Sequence, residues 1–321
     1  MRRAGPRSKA SRPESREIDG VLLLDKPIGI TSHSAVQRVR RLFKARKAGH
    51  TGTLDPLATG LLPVCLGEAT KFSHALLDAD KTYLATIRLG MTTTTGDLEG
   101  EKTSETPVAI GESQLISVLG QFLGQIAQVP PMYSAIKQGG QPLYKLARAG
   151  REVPRAPRRV WIRELRFIRF VPPDLEVAVT CSKGTYIRVL AEDIGRALGC
   201  GGCLAGLRRT AVGDLLRGFD LVSLQALEAT PEEKRAALLL PEDTLLAALP
   251  RLDLNVEQAV RLVRGQQVNP VQTPRPGPVR VYGPEGRFLG LAEVIEEGCV
   301  VPRRLRQTGG TPACEAAGSI A

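Results

Sequence analysis

The chain has 321 residues, enough to bury a large core and carry a second, smaller domain. Lys and Arg number 44 against 33 Asp and Glu, and the resulting net charge of +11 points to a polyanionic partner. No apolar run approaches the ~20 residues that a membrane-spanning helix needs, so a membrane role is not expected and the protein reads as cytoplasmic. Met1 to Asp19 is rich in Arg but also holds Glu14, Glu17 and Asp19, and it lacks an apolar core. It reads as a disordered basic tail over 1–19, not a secretory signal. Val21 to Leu24 is an apolar strand running into the turn Asp25-Lys26-Pro27. Ser34 and Gln37 then have capping-box spacing, and Val36, Val39, Leu42 and Phe43 fall on one helical face. The polar side of that helix and the loop after it carry Arg38, Arg40, Arg41, Lys44, Arg46 and Lys47, a basic rim suited to phosphate contact or plain solvation.

Gly49 to Phe72 reads GHTGTLDPLATGLLPVCLGEATKF. Its first half sets one histidine and one carboxylate among threonines and glycines at a Leu-Asp-Pro turn; from Leu61 on it is mostly apolar and reads as core. Pro56 pushes Asp55 to extended or turn geometry. An isolated Asp-Pro would only close an Asx-turn, but polar chemistry set against core is how a fold fixes one reactive group at the floor of a cleft. Lys81 to Leu89 reads as a strand, followed by a polar turn from Thr92 to Gly100. Glu112 to Ile126 reads as a helix, with Leu115, Val118, Leu119, Phe122 and Ile126 at helical spacing, stopped by Pro130-Pro131. From Lys137 to Arg169 ten basic residues, Arg148 and Arg151 among them, face only Glu152 and Glu164, which makes this the best segment for gripping a nucleic-acid backbone. Val160 to Phe170 and Leu175 to Cys181 form a strand pair. The turn Ser182-Lys183-Gly184 leads through Thr185-Tyr186-Ile187-Arg188 into a helix with Ile187, Leu190, Ala191, Ile194 and Leu198 on one face. Leu240 to Leu249 is a last helical stretch. After Pro250 short strands at 279–282, 288–295 and 299–301, with turns between, suggest a small β-barrel-like module. The tail 307–321 is small, polar and expected to be disordered. Cys200 and Cys203 form a lone C-x-x-C without a second pair or a nearby histidine, and the three histidines lack ligand spacing, so no metal is expected.

The Gly-His-Thr-Gly-Thr-Leu-Asp-Pro string resembles the signature of the TruB family of tRNA pseudouridine synthases, and Asp25-Lys26-Pro27, Lys81-Thr82-Tyr83, Pro130 to Lys137 (PPMYSAIK) and Gly184-Thr185-Tyr186-Ile187-Arg188 resemble its other motifs. The resemblance covers Gly20 to about Leu221 well and the C-terminal module loosely, where it resembles a PUA-like domain. It implies that Asp55 is catalytic, that Arg188 pairs with it, and that Tyr83 and Tyr186 are the pocket tyrosines, Tyr83 also a candidate proton relay. His50 would fill the space left in the RNA stack or touch a phosphate, Leu207 would wall the uracil pocket, and Lys26 would contact RNA or hold its turn. The region 131–159 would be a mobile thumb closing over the tRNA stem-loop. Two positions depart from the family: Thr93-Thr94-Thr95-Gly96-Asp97 stands where Thr-Asp-Thr-x-Asp is usual, and Ser34 stands where an aspartate is common.

Pseudouridine formation breaks the N1–C1′ bond of a uridine, turns the uracil and joins C5 to C1′. No atom or electron is lost, so neither a metal nor a redox cofactor is called for. An ionised carboxylate serves as nucleophile at C1′ or as base at C2′, and the residues leave that choice open. A buried carboxylate needs a cation to stay charged, and a guanidinium holds one bidentately. The expected fold is therefore α+β, a mixed, mostly antiparallel sheet with flanking helices and a central cleft over 20–249, and a PUA-like domain over 250–306. The expected activity is isomerisation of uridine 55 in the T-loop of tRNA by a monomer without an obligatory protein partner. Two rivals stand beside it: a tRNA-folding chaperone in which catalysis is secondary, and a guide-RNA-dependent synthase that needs protein partners. A hydrolase would need a second catalytic carboxylate, which the motif lacks.

Overall fold

The computed structural model describes residues 16–134, 136–213 and 219–307, apart from the side chains of residues 148 and 297. The two expected tails fall largely outside the described residues, and the side chain of Arg148 falls outside them as well. The chain divides into one unit ending at Leu240 and another beginning at Pro241.

In the first unit, β1 (Gly20–Lys26) runs antiparallel to β3 (Ala58–Leu66) over its full length, from Gly20 opposite Leu66 to Lys26 opposite Gly60. Between them, α1 (Ser32–Leu42) packs Ala35, Val36 and Val39 onto Leu22, Leu24, Leu62 and Val64. Its cap is Thr31, whose hydroxyl accepts from the Ser34 amide at 3.1 Å. The helix thus starts earlier than the Ser34–Gln37 spacing indicates, and Ser34 sits inside the first turn. β2 (Ala48–His50) lies against β3. Apart from Thr59, β3 is buried along its length, which is why its sequence is a continuous apolar run without alternation.

β4 (Lys81–Leu89) does alternate, with Ala85, Ile87 and Leu89 buried and Leu84 exposed. The hairpin β5 (Met91–Thr93) and β6 (Lys102–Glu105) follows. The helix read from 112 to 126 ends early: α2 is Glu112–Gly120, and Gly124 takes a φ of +86° to open β7 (Gly124–Gln128). Ile126 keeps helical spacing by coincidence, because β7 hydrogen-bonds along β10 (Arg158–Val171). The basic segment in between folds as β8 (Lys137–Gln138), β9 (Gln141–Pro142) and α3 (Leu143–Arg148). β11 (Asp174–Cys181) closes the expected strand pair with β10, and α4 (Ile187–Ala197) buries Ile187, Leu190, Ala191 and Ile194. β12 (Gly202–Val212), β13 (Val222–Ser223) and α5 (Leu224–Ala229) complete the unit.

Nine strands form one sheet in the order β13-β1-β3-β12-β4-β11-β10-β7, with β2 on β3. Within it the β1–β13 and β3–β12 pairs are parallel and the others antiparallel, so the fold is mixed and mostly antiparallel. The central β3–β12 seam sets Leu207, Arg208 and Arg209 beside Ala58, Thr59 and Gly60. Gly60 has a φ of +93°, and a Cβ there would stand 2.3 Å from the Arg209 carbonyl oxygen. Gly60→Ala combines that clash with backbone strain, and we expect it to cost at least about 1–3 kcal/mol. Urea unfolding checks this; an unchanged midpoint would mean that the two strands part without cost.

The second unit contains β14 (Arg251–Asp253), α6 (Val256–Val263), β15 (Gly277–Tyr282), β16 (Phe288–Val294) and β17 (Val300–Leu305). Its strands make an open four-stranded sheet in sequence order, not a closed barrel. Leu252, Leu262, Val279, Val281, Ala292 and Val300 are its core. The stretch from Leu240 to Leu249, read as helix, forms only a 3-10 segment, Glu242–Leu246, between Pro241 and Pro250. Among the described residues no helix is long and apolar enough to cross a membrane.

Candidate active site

Asp55 sits in the turn that feeds β3, and that turn is clamped from below. The Leu54 amide donates to the Ser32 hydroxyl at 2.7 Å, and the same hydroxyl donates back to the Leu54 carbonyl at 2.9 Å. The Gly29 amide donates to the Pro56 carbonyl at 2.9 Å, and the Ala58 amide closes the turn on the Asp55 carbonyl at 3.0 Å. Lys26 is fully buried, not the exposed turn lysine that its sequence position suggests. Its ammonium donates to the carbonyls of Pro27, Ile30 and Pro56 at 2.9, 2.7 and 3.5 Å. Burial pushes its pKa down to about 8, against the pull of Asp55 and Glu99. All three donors are thus committed to backbone, two in the turn after β1 and one at Pro56 beside Asp55, so Lys26 ties the two turns together from beneath.

Above the turn, Arg188 in the first turn of α4 reaches Asp55 through Nη2, 3.0 Å from Oδ2. The guanidinium is 7% exposed and the carboxylate 46%. The carboxylate expected to be buried is therefore half open to the cavity, and it is the cation that is buried. Nor does Asp55 have the guanidinium to itself. Nε of Arg188 lies 3.5 Å from Asp97 Oδ2, Nη1 donates to the Thr95 carbonyl at 3.1 Å, and Nη2 donates to the Tyr133 carbonyl at 2.8 Å. Asp97, 4% exposed, is held in turn by the Thr95 hydroxyl at 2.5 Å and the Glu99 amide at 3.1 Å. Asp97 belongs to the turn Thr93-Thr94-Thr95-Gly96-Asp97, which departs from the family pattern. A buried carboxylate on the far side of Arg188 is a second anchor for the pair.

Asp55, Tyr83, Tyr186, Arg188 and Leu207 line one cavity of about 270 Å³, together with Arg209, Lys81 and Tyr133. Tyr83 comes from β4 and Leu207 from β12, directly across from Ala85. Tyr186 caps α4, its amide donating to the Gln128 side chain at 3.0 Å while Gln128 donates back to the Tyr186 carbonyl at 3.3 Å. That clip ties the α4 entry to β7. Burial raises the phenol pKa of both tyrosines, so each is neutral at rest. His50 ends β2 and does not line the cavity, although Thr51 and Gly52 after it do. Its Nδ1 accepts from the Gly52 amide at 3.2 Å. Burial, and then Arg209, lower its pKa, which leaves a neutral ring whose proton sits on Nε2. Arg151 is exposed just beyond α3 and lies apart from the cavity. Tyr133 and Ser134 from the PPMYSAIK string do reach it, and they were not singled out as site residues.

Three family models cover most of the chain: the TruB family pseudouridylate synthase N-terminal domain over residues 40–187, the tRNA pseudouridylate synthase B C-terminal domain over 188–247, and the pseudouridine synthase II TruB C-terminal model over 250–305. The chain is 51% identical to tRNA pseudouridine synthase B of Burkholderia mallei, spanning 96% of this chain and 100% of that one. It is 53% identical to the protein of the same name in Ralstonia nicotianae, over 94% and 98%. Among solved structures it is similar to the crystal structure of a Cbf5-Nop10-Gar1 complex, with a TM-score of 0.68 and 26% identity over 90% of this chain and 84% of that one. A half-open aspartate on a clamped turn, the buried arginine behind it and these matches along the whole chain lead to one assignment: the chain belongs to the TruB family of pseudouridine synthases.

Proposed function

We propose that the chain isomerises uridine to pseudouridine in the T-loop of tRNA, at position 55, on a nucleotide flipped out of the stack. The observation that carries this reading is the half-exposed Asp55 carboxylate, held by a buried guanidinium at the mouth of a cavity walled by two tyrosines and a leucine. At about 270 Å³ the cavity falls below the ~300–1,000 Å³ typical of drug-sized ligands and suits a single base. Asp55 attacks C1′ or takes the C2′ proton, Arg188 pairs with it and aims it, and the two tyrosines and Leu207 hold the detached uracil while it turns. His50, with its donor on Nε2, meets the RNA at the cavity's edge. The reaction exchanges no electrons and needs no cofactor, and the protein works as a cytoplasmic monomer. The purified chain should form pseudouridine in an unmodified tRNA transcript with no added protein or guide RNA. Activity that appears only with a guide would assign it to the guide-dependent class; no isomerisation combined with accelerated tRNA refolding would make it a chaperone.

The region 131–159 is the thumb in this reading, and its basic side chains from Lys137 to Arg159 act through phosphates. Neutralising Arg148 and Arg151 together should weaken binding of all tRNAs about equally. It should also lower the slope of log affinity against log salt by roughly one to two units. Filter binding across a salt series measures it, and an unchanged slope would mean that these side chains only face water.

A further inference from the structure

Among the described residues Arg209 is the largest fully buried side chain, 1% exposed, and it forms no ion pair with a carboxylate. A guanidinium cannot shed its proton to escape burial, so its surroundings must repay the lost hydration. Two hydrogen bonds do part of this: Nε donates to the Leu61 carbonyl at 2.7 Å and Nη2 to the Gly52 carbonyl at 3.1 Å. They staple β3 to the turn after His50. The rest of the guanidinium faces Tyr83, the residue directly across the β12–β4 ladder, and its charge acts on that phenol. Both side chains line the cavity that holds Asp55.

We propose that Arg209 is the counter-cation of a Tyr83 phenolate, holding that oxygen in place and stabilising its charge so that it removes the C5 proton from the turned uracil. The proposal rests on the isomerisation reading above. Once C5 is joined to C1′, C5 still carries its hydrogen and must lose it. Tyr83, a neutral phenol at rest, first gives its proton to water; the C5 proton then passes to the phenolate oxygen, the C5–H electron pair becomes the C5–C6 double bond, and the C6–N1 π pair returns to N1, which takes a proton back from water. The phenol is thereby restored, and the balance closes without an oxidant or reductant.

The groups that face Tyr83 are Arg209 from β12, Cys181 from β11 and Asp55 from the turn before β3. Arg188 and Tyr186 stand across the cavity. Lys81, on the same strand, spends its ammonium on the carbonyls of Leu76, Leu77 and Ala79. Burial, Cys181 and Asp55 all disfavour the phenolate, and Arg209 opposes them. Take away that cation and the phenol ionises only at higher pH.

The test is tritium release from [5-³H]uridine in tRNA under single-turnover conditions, followed against pH. Arg209→Met should slow release by roughly a hundredfold near neutrality and move the rising limb of the profile to higher pH. Arg209→Lys, which keeps the charge, should recover much of the rate and leave the limb close to wild type. A loss by the same factor at every pH, or a Lys variant no better than Met, would reduce Arg209 to a staple between strands and overturn the proposal. Should Arg209→Met not fold, ¹⁵N spectra of the arginine side chains in the native chain decide the matter. A buried guanidinium signal should follow a tyrosine titration and shift in Tyr83→Phe; a signal indifferent to both overturns the proposal. A wild-type chain that forms no pseudouridine would refute the functional reading while leaving this contact measurable.

Discussion

Asp55→Asn should abolish isomerisation while tRNA affinity stays close to wild type. The amide keeps the shape and hydrogen-bonding reach of the side chain but removes the anion that the sugar chemistry requires. Neither water nor a neighbour replaces it, because Asp97 is only 4% exposed and is held behind Arg188. The expected drop is at least roughly a thousandfold, several kcal/mol of barrier. Stability should barely change. Arg188 keeps Asp97 and the carbonyls of Thr95 and Tyr133, and an ion pair to a half-exposed carboxylate is worth about 0–1 kcal/mol. Thr53→Ala alters the same turn without touching the carboxylate and should retain measurable activity. Single-turnover tritium release from tRNA labelled at C5 is the measurement. Release by Asp55→Asn at near the wild-type rate would make Asp55 a turn residue and end the mechanism proposed here.

The strands that alternate were legible in the sequence. β4, β10 and β11 each face core on one side only, so apolar and polar residues take turns along them. The face of α4 was legible for the same reason, at helical spacing. β12 was not. Its sequence, GCLAGLRRTAV, breaks alternation with two bulges and carries consecutive arginines, one exposed enough to pair with Asp25 and the other buried. A charge in a sequence reads as solvent by default. That default hid Arg209, Lys26 and Asp97 together, and each is buried because backbone carbonyls, a phenol or a guanidinium replace its water. Such compensation comes from residues distant in the chain and leaves no local mark. The cavity residues Asp55, Tyr83, Tyr186, Arg188 and Leu207 were named from motif resemblance, and their meeting in one cavity follows from the β3–β12 seam, which no local pattern announced.

Arg188→Met should cost both stability and activity, and the two losses should separate. Arg188 is 7% exposed and stands between two carboxylates, one half open and one buried. Removing it leaves Asp97 as a buried anion without a cation, a situation that typically costs about 3–5 kcal/mol. Asp55 stays solvated but loses the group that aims it, and a displacement on the order of 1 Å at a reacting centre is worth roughly a hundredfold in rate. A lysine at this position carries the charge but lacks the fork that reaches both carboxylates and two carbonyls at once, so Arg188→Lys should fall between wild type and Met in both respects. The discriminating variant is Arg188→Met combined with Asp97→Asn. Neutralising Asp97 removes the stranded charge, so urea unfolding should show much of the lost stability restored. Tritium release should remain low, because Asp55 still lacks its partner. If the double variant recovers activity along with stability, Arg188 serves the fold alone and the aspartate needs no cation to act. If it recovers neither, the damage lies in the carbonyls of Thr95 and Tyr133 left without a donor, and the guanidinium's first task is to hold those two loops against α4.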